Sequence, residues 1–281
     1  MMPPTQETAV PTVTLNNGVR IPQLGFGVFQ LSSEESQRVV EDALAAGYRH
    51  IDTTAACRSE ATVGAAMAAS GISREEMFVS AMVPNGEQAT VSKAFENSRA
   101  ALKLDYLDLY LIPRRVEKQG AAAEGWITME KLYVDGEVRA VGVSDFMAED
   151  LDALLPEAVV VPAVNQIEIR PTYQQPVLAA ACRSMGIAVA ALSPKGHSDV
   201  NEDTVRYLAA KYAATPAQIV LAWHLGSGTI AIATSSGSGR MLEDVAAAAI
   251  TLRSGELAAM ARLGNGFRIG AGISTAVISQ M

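Results

Sequence analysis

The chain alternates short, nearly continuous apolar runs with longer stretches where apolar residues recur every three or four positions. The first pattern predicts strands and the second predicts amphipathic helices. Near the start, Val13 to Leu15 and Val19 to Ile21 flank Asn16-Asn17-Gly18, and Asn-Gly supplies the positive φ of a tight hairpin turn. Strands are then expected over 25–29, 50–53, 78–83, 106–112, 138–143, 162–169, 187–192 and 229–233. Helices are expected between them: from Ser33 to a stop at Gly47, then over 60–69, 90–102, 127–133, 149–155 and 175–185. A further helix opens at Thr215-Pro216, with proline in its first turn, and the last follows Arg240.

The strand runs do not alternate cleanly between apolar and polar residues. That is the signature of parallel strands covered on both faces. Eight strand–helix units in 281 residues predict a (β/α)8 TIM barrel with an N-terminal β-hairpin. No repeat or linker divides it, so one domain is expected over 1–281, with a loose tail at 1–11 and a C-terminal helix and loop at 253–281.

Composition narrows the function classes. No apolar run reaches the ~18–20 residues of a membrane span, and residues 1–11 lack the basic and apolar regions of a signal peptide. Net charge is −8 with no Lys/Arg cluster, so nucleic acid and anionic membranes are not expected partners. Cys57 and Cys182 lie far apart, and His50, His197 and His224 share no metal-binding spacing. A reducing cytoplasm and no metal are the expectations.

Several stretches together resemble the aldo-keto reductase family, in particular its bacterial branch acting on small dicarbonyls. The opening hairpin and first strand match in Leu15-Asn16-Asn17-Gly18-Val19-Arg20-Ile21-Pro22 and Leu24-Gly25-Phe26-Gly27. Gly47-Tyr48-Arg49-His50-Ile51-Asp52-Thr53 resembles the second strand, and residues 104–112 resemble the fourth. Val141-Gly142-Val143-Ser144 and residues 162–168 resemble the fifth and sixth. Thr215-Pro216-Ala217-Gln218 and Trp223-His224 fit the helix before the last strand.

The resemblance implies a tetrad of Asp, Tyr, Lys and His at the strand ends, with NADPH as hydride source. Asp52 matches the Asp. The Tyr falls at Cys57, the Lys at Met82 and the His at Pro113. A thiol is shorter than a phenol by a ring, a thioether carries no charge, and proline has no side-chain donor. Cofactor positions are mixed. Ser144, Asn165 and Gln166 match nicotinamide contacts and Ser235 and Arg240 match phosphate-end contacts, while the stacking aromatic falls at Leu192 and the 2′-phosphate cation at Thr234.

Asp52 is therefore a candidate general acid or base that has lost its cation. Arg114 and Arg115 are candidates for its new partner or for binding a substrate carboxylate or enolate oxygen, with solvated loop arginines as the alternative. Phe26, Cys57, Met82, Pro113, Glu168 and Leu192 are expected to line an apolar pocket for a bulky small molecule. Lys195 and His197 sit on a loop expected to cross it. The expected function is a redox-inactive barrel doing cyclisation, dehydration or isomerisation in a biosynthetic pathway, with NADP absent or weakly bound. The alternatives are a non-catalytic binding protein and an NADPH-dependent carbonyl reductase with a substitute acid such as Asp52.

Overall fold

The computed structural model describes residues 10–28, 33–84, 90–114, 121–192, 194–195, 199–235 and 237–266. Strands β1 (Thr12–Thr14) and β2 (Arg20–Pro22) form the antiparallel hairpin. Its turn follows from the sequence: Gly18 sits at φ +85°, and Asn17 Oδ1 accepts from the Val19 backbone N–H at 3.2 Å.

Eight strands follow. They are β3 (Leu24–Gly27), β4 (His50–Asp52), β5 (Phe78–Met82), β6 (Leu109–Pro113), β7 (Val141–Ser144), β8 (Val164–Glu168), β9 (Ala188–Leu192) and β10 (Ile230–Ala233). All pair in parallel, and β10 returns to β3 to close the barrel. The expected (β/α)8 TIM barrel with its hairpin is the observed fold.

The helices are α1 (Ser33–Ala45), α2 (Glu60–Ala69), α3 (Val91–Leu102), α4 (Ala121–Val134), α5 (Ala148–Leu154), α6 (Pro176–Ser184), α7 (Asp203–Tyr212), α8 (Pro216–Gly226), α9 (Ser238–Ala246) and α10 (Ser254–Ala261). At the start of α8, Thr215 Oγ1 accepts from Gln218 N and Gln218 Oε1 accepts from Thr215 N, a reciprocal cap with Pro216 in the first turn. The sequence reading did not anticipate α7. It buries Val205, Leu208 and Ala209 on one face. The helix expected after Arg240, α9, begins at Ser238 and so includes Arg240. No helix among the described residues is long and apolar enough to cross a membrane.

Two apolar layers result. One lies between strands and helices and includes Phe26, Val79, Ile112 and Trp126. The other fills the lumen with Phe78, Leu109, Leu111, Val164, Ile230 and Ile232, joined by Leu15 and Ile21 of the hairpin. The hairpin thus plugs the end of the barrel where the strands begin, leaving the strands' carboxyl ends as the open mouth.

Candidate active site

Side chains alternate along each strand, so every second residue faces the lumen. Asp52 ends β4 two residues after His50, Met82 ends β5 two after Ser80, and Pro113 ends β6 two after lumen-facing Leu111. Register places Gly27 beside Asp52, Pro113 beside Ser144, and Ser144 beside Gln166. These residues form a ring at the mouth, where TIM barrels carry their chemistry.

Asp52 is the ionisable member of that ring and is 9% exposed. Ser80 Oγ donates to its Oδ1, and Gln166 Nε2 donates to Oδ2 at 3.2 Å. Burial pushes the carboxyl up to about 6, while the Ser80 and Gln166 contacts pull the other way and do not cancel it. Below it, His50 Nε2 lies 2.9 Å from Ser80 Oγ and Nδ1 lies 3.4 Å from the Pro22 carbonyl oxygen. Burial lowers His50 to about 4, so the ring is neutral at ordinary pH. The sequence reading gave His50 no role and did not single out Ser80. The signal was the i, i+2 spacing of His50 and Asp52, which puts both in the lumen.

Met82 packs on the lumen cluster and Pro113 is buried beside Ser144. Leu192, partly buried, ends β9 opposite Glu168. Cys57 is partly exposed on a 3-10 turn, Ala55–Cys57, after β4. Ser144 Oγ donates to the Gln166 carbonyl oxygen at 3.2 Å. The Gln166 Oε1 atom is buried and has no hydrogen-bond partner among the described residues.

Three expected site residues lie elsewhere. Phe26 packs edge-on against Tyr48, with ring centroids 5.5 Å apart, in the layer under the helices. Strand alternation turns it outward and points Gly25 and Gly27 inward. Asn165 also faces outward: its Nδ2 donates to the Phe146 carbonyl at 2.9 Å and contacts Cys182 Sγ at 3.6 Å. Arg114 does not pair with Asp52; its Nε sits 2.8 Å from Asp150 Oδ2 of α5, both side chains partly exposed. Arg115 and His197 lie outside the described residues.

Glu168 pairs with Arg170 at 3.4 Å, and Arg170 reaches Asp199 at 3.5 Å. Arg170 and Asp199 are both buried, so this group ties the loop after β8 to the turn before α7. On the β10 side, Lys195 Nζ donates to Ser235 Oγ at 2.9 Å and to Asp244 Oδ2 at 2.6 Å, and Ser235 donates to the same oxygen at 2.6 Å. Ser235 is thus already engaged by a cation the sequence had placed only on a crossing loop. Thr234 and Arg240 beside it are exposed.

The model of the Aldo/keto reductase family matches residues 23–265. An aldo-keto reductase of Mycolicibacterium smegmatis is 39% identical over 92% of this chain and 96% of its own. The methylglyoxal reductase DkgA of Yersinia pestis is 38% identical over 94% of this chain and 96% of its own. A solved Bombyx mori aldo-keto reductase in complex with NADP superposes with a TM-score of 0.86 at 32% identity, covering 92% of this chain and 94% of that one. The chain belongs to the aldo/keto reductase family. These relatives overturn the expectation of a non-redox cyclase, dehydratase or isomerase: chains this similar over nearly their full length are named reductases. That expectation took the substitutions at Cys57, Met82 and Pro113 as a loss of redox function.

Proposed function

We infer that this chain is an NADPH-dependent reductase of small carbonyl compounds in which Asp52 supplies the proton. The observation that carries this reading is a buried carboxyl at the barrel mouth, raised to about 6 by burial, where the positions the family resemblance gives to phenol, amine and imidazole hold Cys57, Met82 and Pro113. A general acid works best with a pKa near the working pH, and about 6 meets that condition better than an ordinary carboxyl near 4.

The residues present fit a nicotinamide. Gln166 Oε1 is a buried acceptor without a partner among the described residues, Ser144 lies beside it, and a carboxamide N–H would satisfy it. Ser144 and Gln166 would hold that end, and Lys195, Ser235 and Arg240 the phosphate-bearing end. Leu192 offers a branched aliphatic contact in place of an aromatic face, so affinity is expected to be modest. When bound, NADPH would supply the hydride that the carbonyl carbon receives. Asp52 transfers its proton to the carbonyl oxygen and regains one from water. Gln166, which donates to Asp52 and fits the carboxamide, keeps acid and hydride source in one frame. Met82, Pro113 and Leu192 exclude water and favour an uncharged, apolar carbonyl substrate. The likeness to a methylglyoxal reductase supports a dicarbonyl as the first substrate to try.

The test is isotopic. NADPH carrying deuterium at C4 is incubated with the protein and methylglyoxal, and the product alcohol is examined by mass spectrometry. Deuterium on the carbinol carbon is the expected result. Folded protein that binds NADPH in a calorimeter yet yields no labelled alcohol from methylglyoxal or an aromatic aldehyde would overturn the reading.

A further inference from the structure

We propose that Pro22, His50 and Ser80 form a directional hydrogen-bond column that holds Asp52 as the neutral acid, its proton shared with Ser80, before substrate arrives. The column runs up the inside of the barrel. A carbonyl oxygen only accepts, so the contact between His50 and Pro22 requires the hydrogen to be on Nδ1. A neutral imidazole carries one N–H, which leaves Nε2 as an acceptor. Nε2 is 2.9 Å from Ser80 Oγ, so the Ser80 hydroxyl donates downward to His50. Ser80 Oγ then presents a lone pair to Asp52 Oδ1, and the bond that Ser80 would donate to a carboxylate reverses, with Asp52 donating, when Asp52 carries the proton.

Every donor in this arrangement meets an acceptor. Ionising Asp52 breaks the pattern. If Ser80 turns to donate to the carboxylate, His50 Nε2 faces an oxygen lone pair. If Ser80 stays on His50, the carboxylate faces one instead. Moving the hydrogen to Nε2 repairs both contacts but sets Nδ1 against the Pro22 carbonyl. Each ionised form loses one contact, and in a buried site a lost contact is not replaced by water.

The imidazole is seated here by design of the neighbouring strand. A Cβ on Gly25 would lie 2.6 Å from His50 Nδ1 and 2.9 Å from Cγ, so only glycine leaves room for the ring. On its other side His50 meets the Phe78 ring edge-on, centroids 4.9 Å apart. Titratable groups on the surrounding elements are few. Strands β3 and β5 carry none, β4 carries His50 and Asp52 themselves, the turn after β4 carries Cys57 with the exposed Arg58 at its end, and β8 carries Glu168, which is paired with Arg170. Among the described residues, neither Asp52 nor His50 has an ion-pair partner. The carboxyl's two oxygens exchange by a half-turn about Cβ–Cγ, a broad two-fold torsion, and that turn presents the O–H to the pocket.

His50 and Ser80 act through Asp52 and are positioning residues. Their bearing on turnover rests on the reductase reading, but the test does not. In the full chain, 15N shifts of the His50 ring and the 13C shift of the Asp52 carboxyl are followed across pH. At about pH 5, between the His50 value of about 4 and the Asp52 value of about 6, His50 is expected to be protonated at Nδ1 alone and Asp52 to be neutral. His50→Leu frees Ser80 to donate to the carboxylate and lowers the Asp52 midpoint by about one pH unit, the scale of one hydrogen bond to a charged oxygen. In a Ser80→Ala background, His50→Leu moves the midpoint no further.

Burial alone predicts the opposite sign, because leucine is less polar than imidazole. An unchanged or raised midpoint in His50→Leu overturns the proposal, as does an Nε2–H tautomer in the native chain. The native tautomer decides the matter if the variants do not fold. A protein that fails to oxidise NADPH would overturn the reductase reading and leave the column standing. An Nε2–H tautomer of His50 beside an Asp52 that is still neutral at about pH 5 would do the reverse.

Discussion

Replacing Asp52 with asparagine separates what the carboxyl does for stability from what it does for chemistry. Its value rises from an ordinary one near 4 to about 6 in the folded barrel, because burial disfavours the charge. Between those two values the folded state holds a proton that the unfolded state has lost. The sign follows: the contribution to stability is complete below about pH 4 and is lost as pH rises through about 6. At ~1.4 kcal/mol per pH unit, two units make about 3 kcal/mol of lost stability by about pH 7.5. The carboxamide has the same shape and never ionises. Its N–H can donate to Ser80 Oγ and its oxygen can accept from Gln166, the two contacts Asp52 now makes. Asp52→Asn should therefore match the native chain in urea unfolding near pH 4 and exceed it by up to ~3 kcal/mol near pH 7.5. It should also lose most reductase activity, a trade expected where a buried group is kept for chemistry. A stability gap that stays constant with pH, or shrinks toward neutrality, would show that Asp52 is not buried as an uncompensated carboxyl.

Other substitutions probe the rest of the site and frame. Arg114→Ala should leave turnover close to native and change stability by less than ~1 kcal/mol, because its partner is Asp150 at a partly exposed pair; a deep loss of turnover would return Arg114 to the pocket. Cys57→Ser should alter turnover by less than about tenfold, short of the ~10²–10⁴ that a general acid contributes, and a larger loss in steady-state assay would point to thiol chemistry. Gly64→Ala should lower stability by at least ~2 kcal/mol in a thermal or urea melt, since its Cβ would lie 2.3 Å from the Leu102 backbone oxygen where α2 meets α3. A melt at the native midpoint would mean the two helices can separate freely.

Much of the barrel was legible because parallel strands have a distinct appearance. Eight apolar runs separated by helical stretches admit few other closed arrangements, and the hairpin announced itself through Asn17-Gly18. The same feature hid the facing of side chains. A strand apolar on both faces shows no alternation, so Phe26 read as pocket when Gly25 and Gly27 were the lumen positions. Asn165 failed for the same reason: it and Gln166 are adjacent, and adjacent residues in a strand must face opposite ways. Counting from Asp52 or Gln166 by twos would have found this. Helix α7 carries a regular face in Val205, Leu208 and Ala209, but the stronger cap at Thr215-Pro216 drew the helix of that unit to α8 alone.

The partners of charged groups were less accessible. Arg114 and Asp150 are far apart in sequence, as are Lys195 and Asp244, and pairing depends on the loop geometry that brings them together. The reading of function erred on a different ground. Loss of phenol, amine and imidazole was weighed as loss of redox chemistry, with the reductase kept only as the last alternative. A buried carboxyl can change its own pKa without any of the three, and that property shows only once its surroundings are known.

If the Asp52 carboxyl is the proton donor of a carbonyl reductase, its ionisation must govern turnover. The most direct test is the pH dependence of NADPH oxidation with methylglyoxal, followed at the nicotinamide absorbance with cofactor and substrate saturating. The donor must be protonated, so the rate should be highest at low pH and fall as pH rises through about 6, with a single ionisation that Asp52→Asn abolishes along with most of the rate. A rate that stays level from about pH 5 to 8, or an Asp52→Asn protein that turns over like the native chain, would contradict the account.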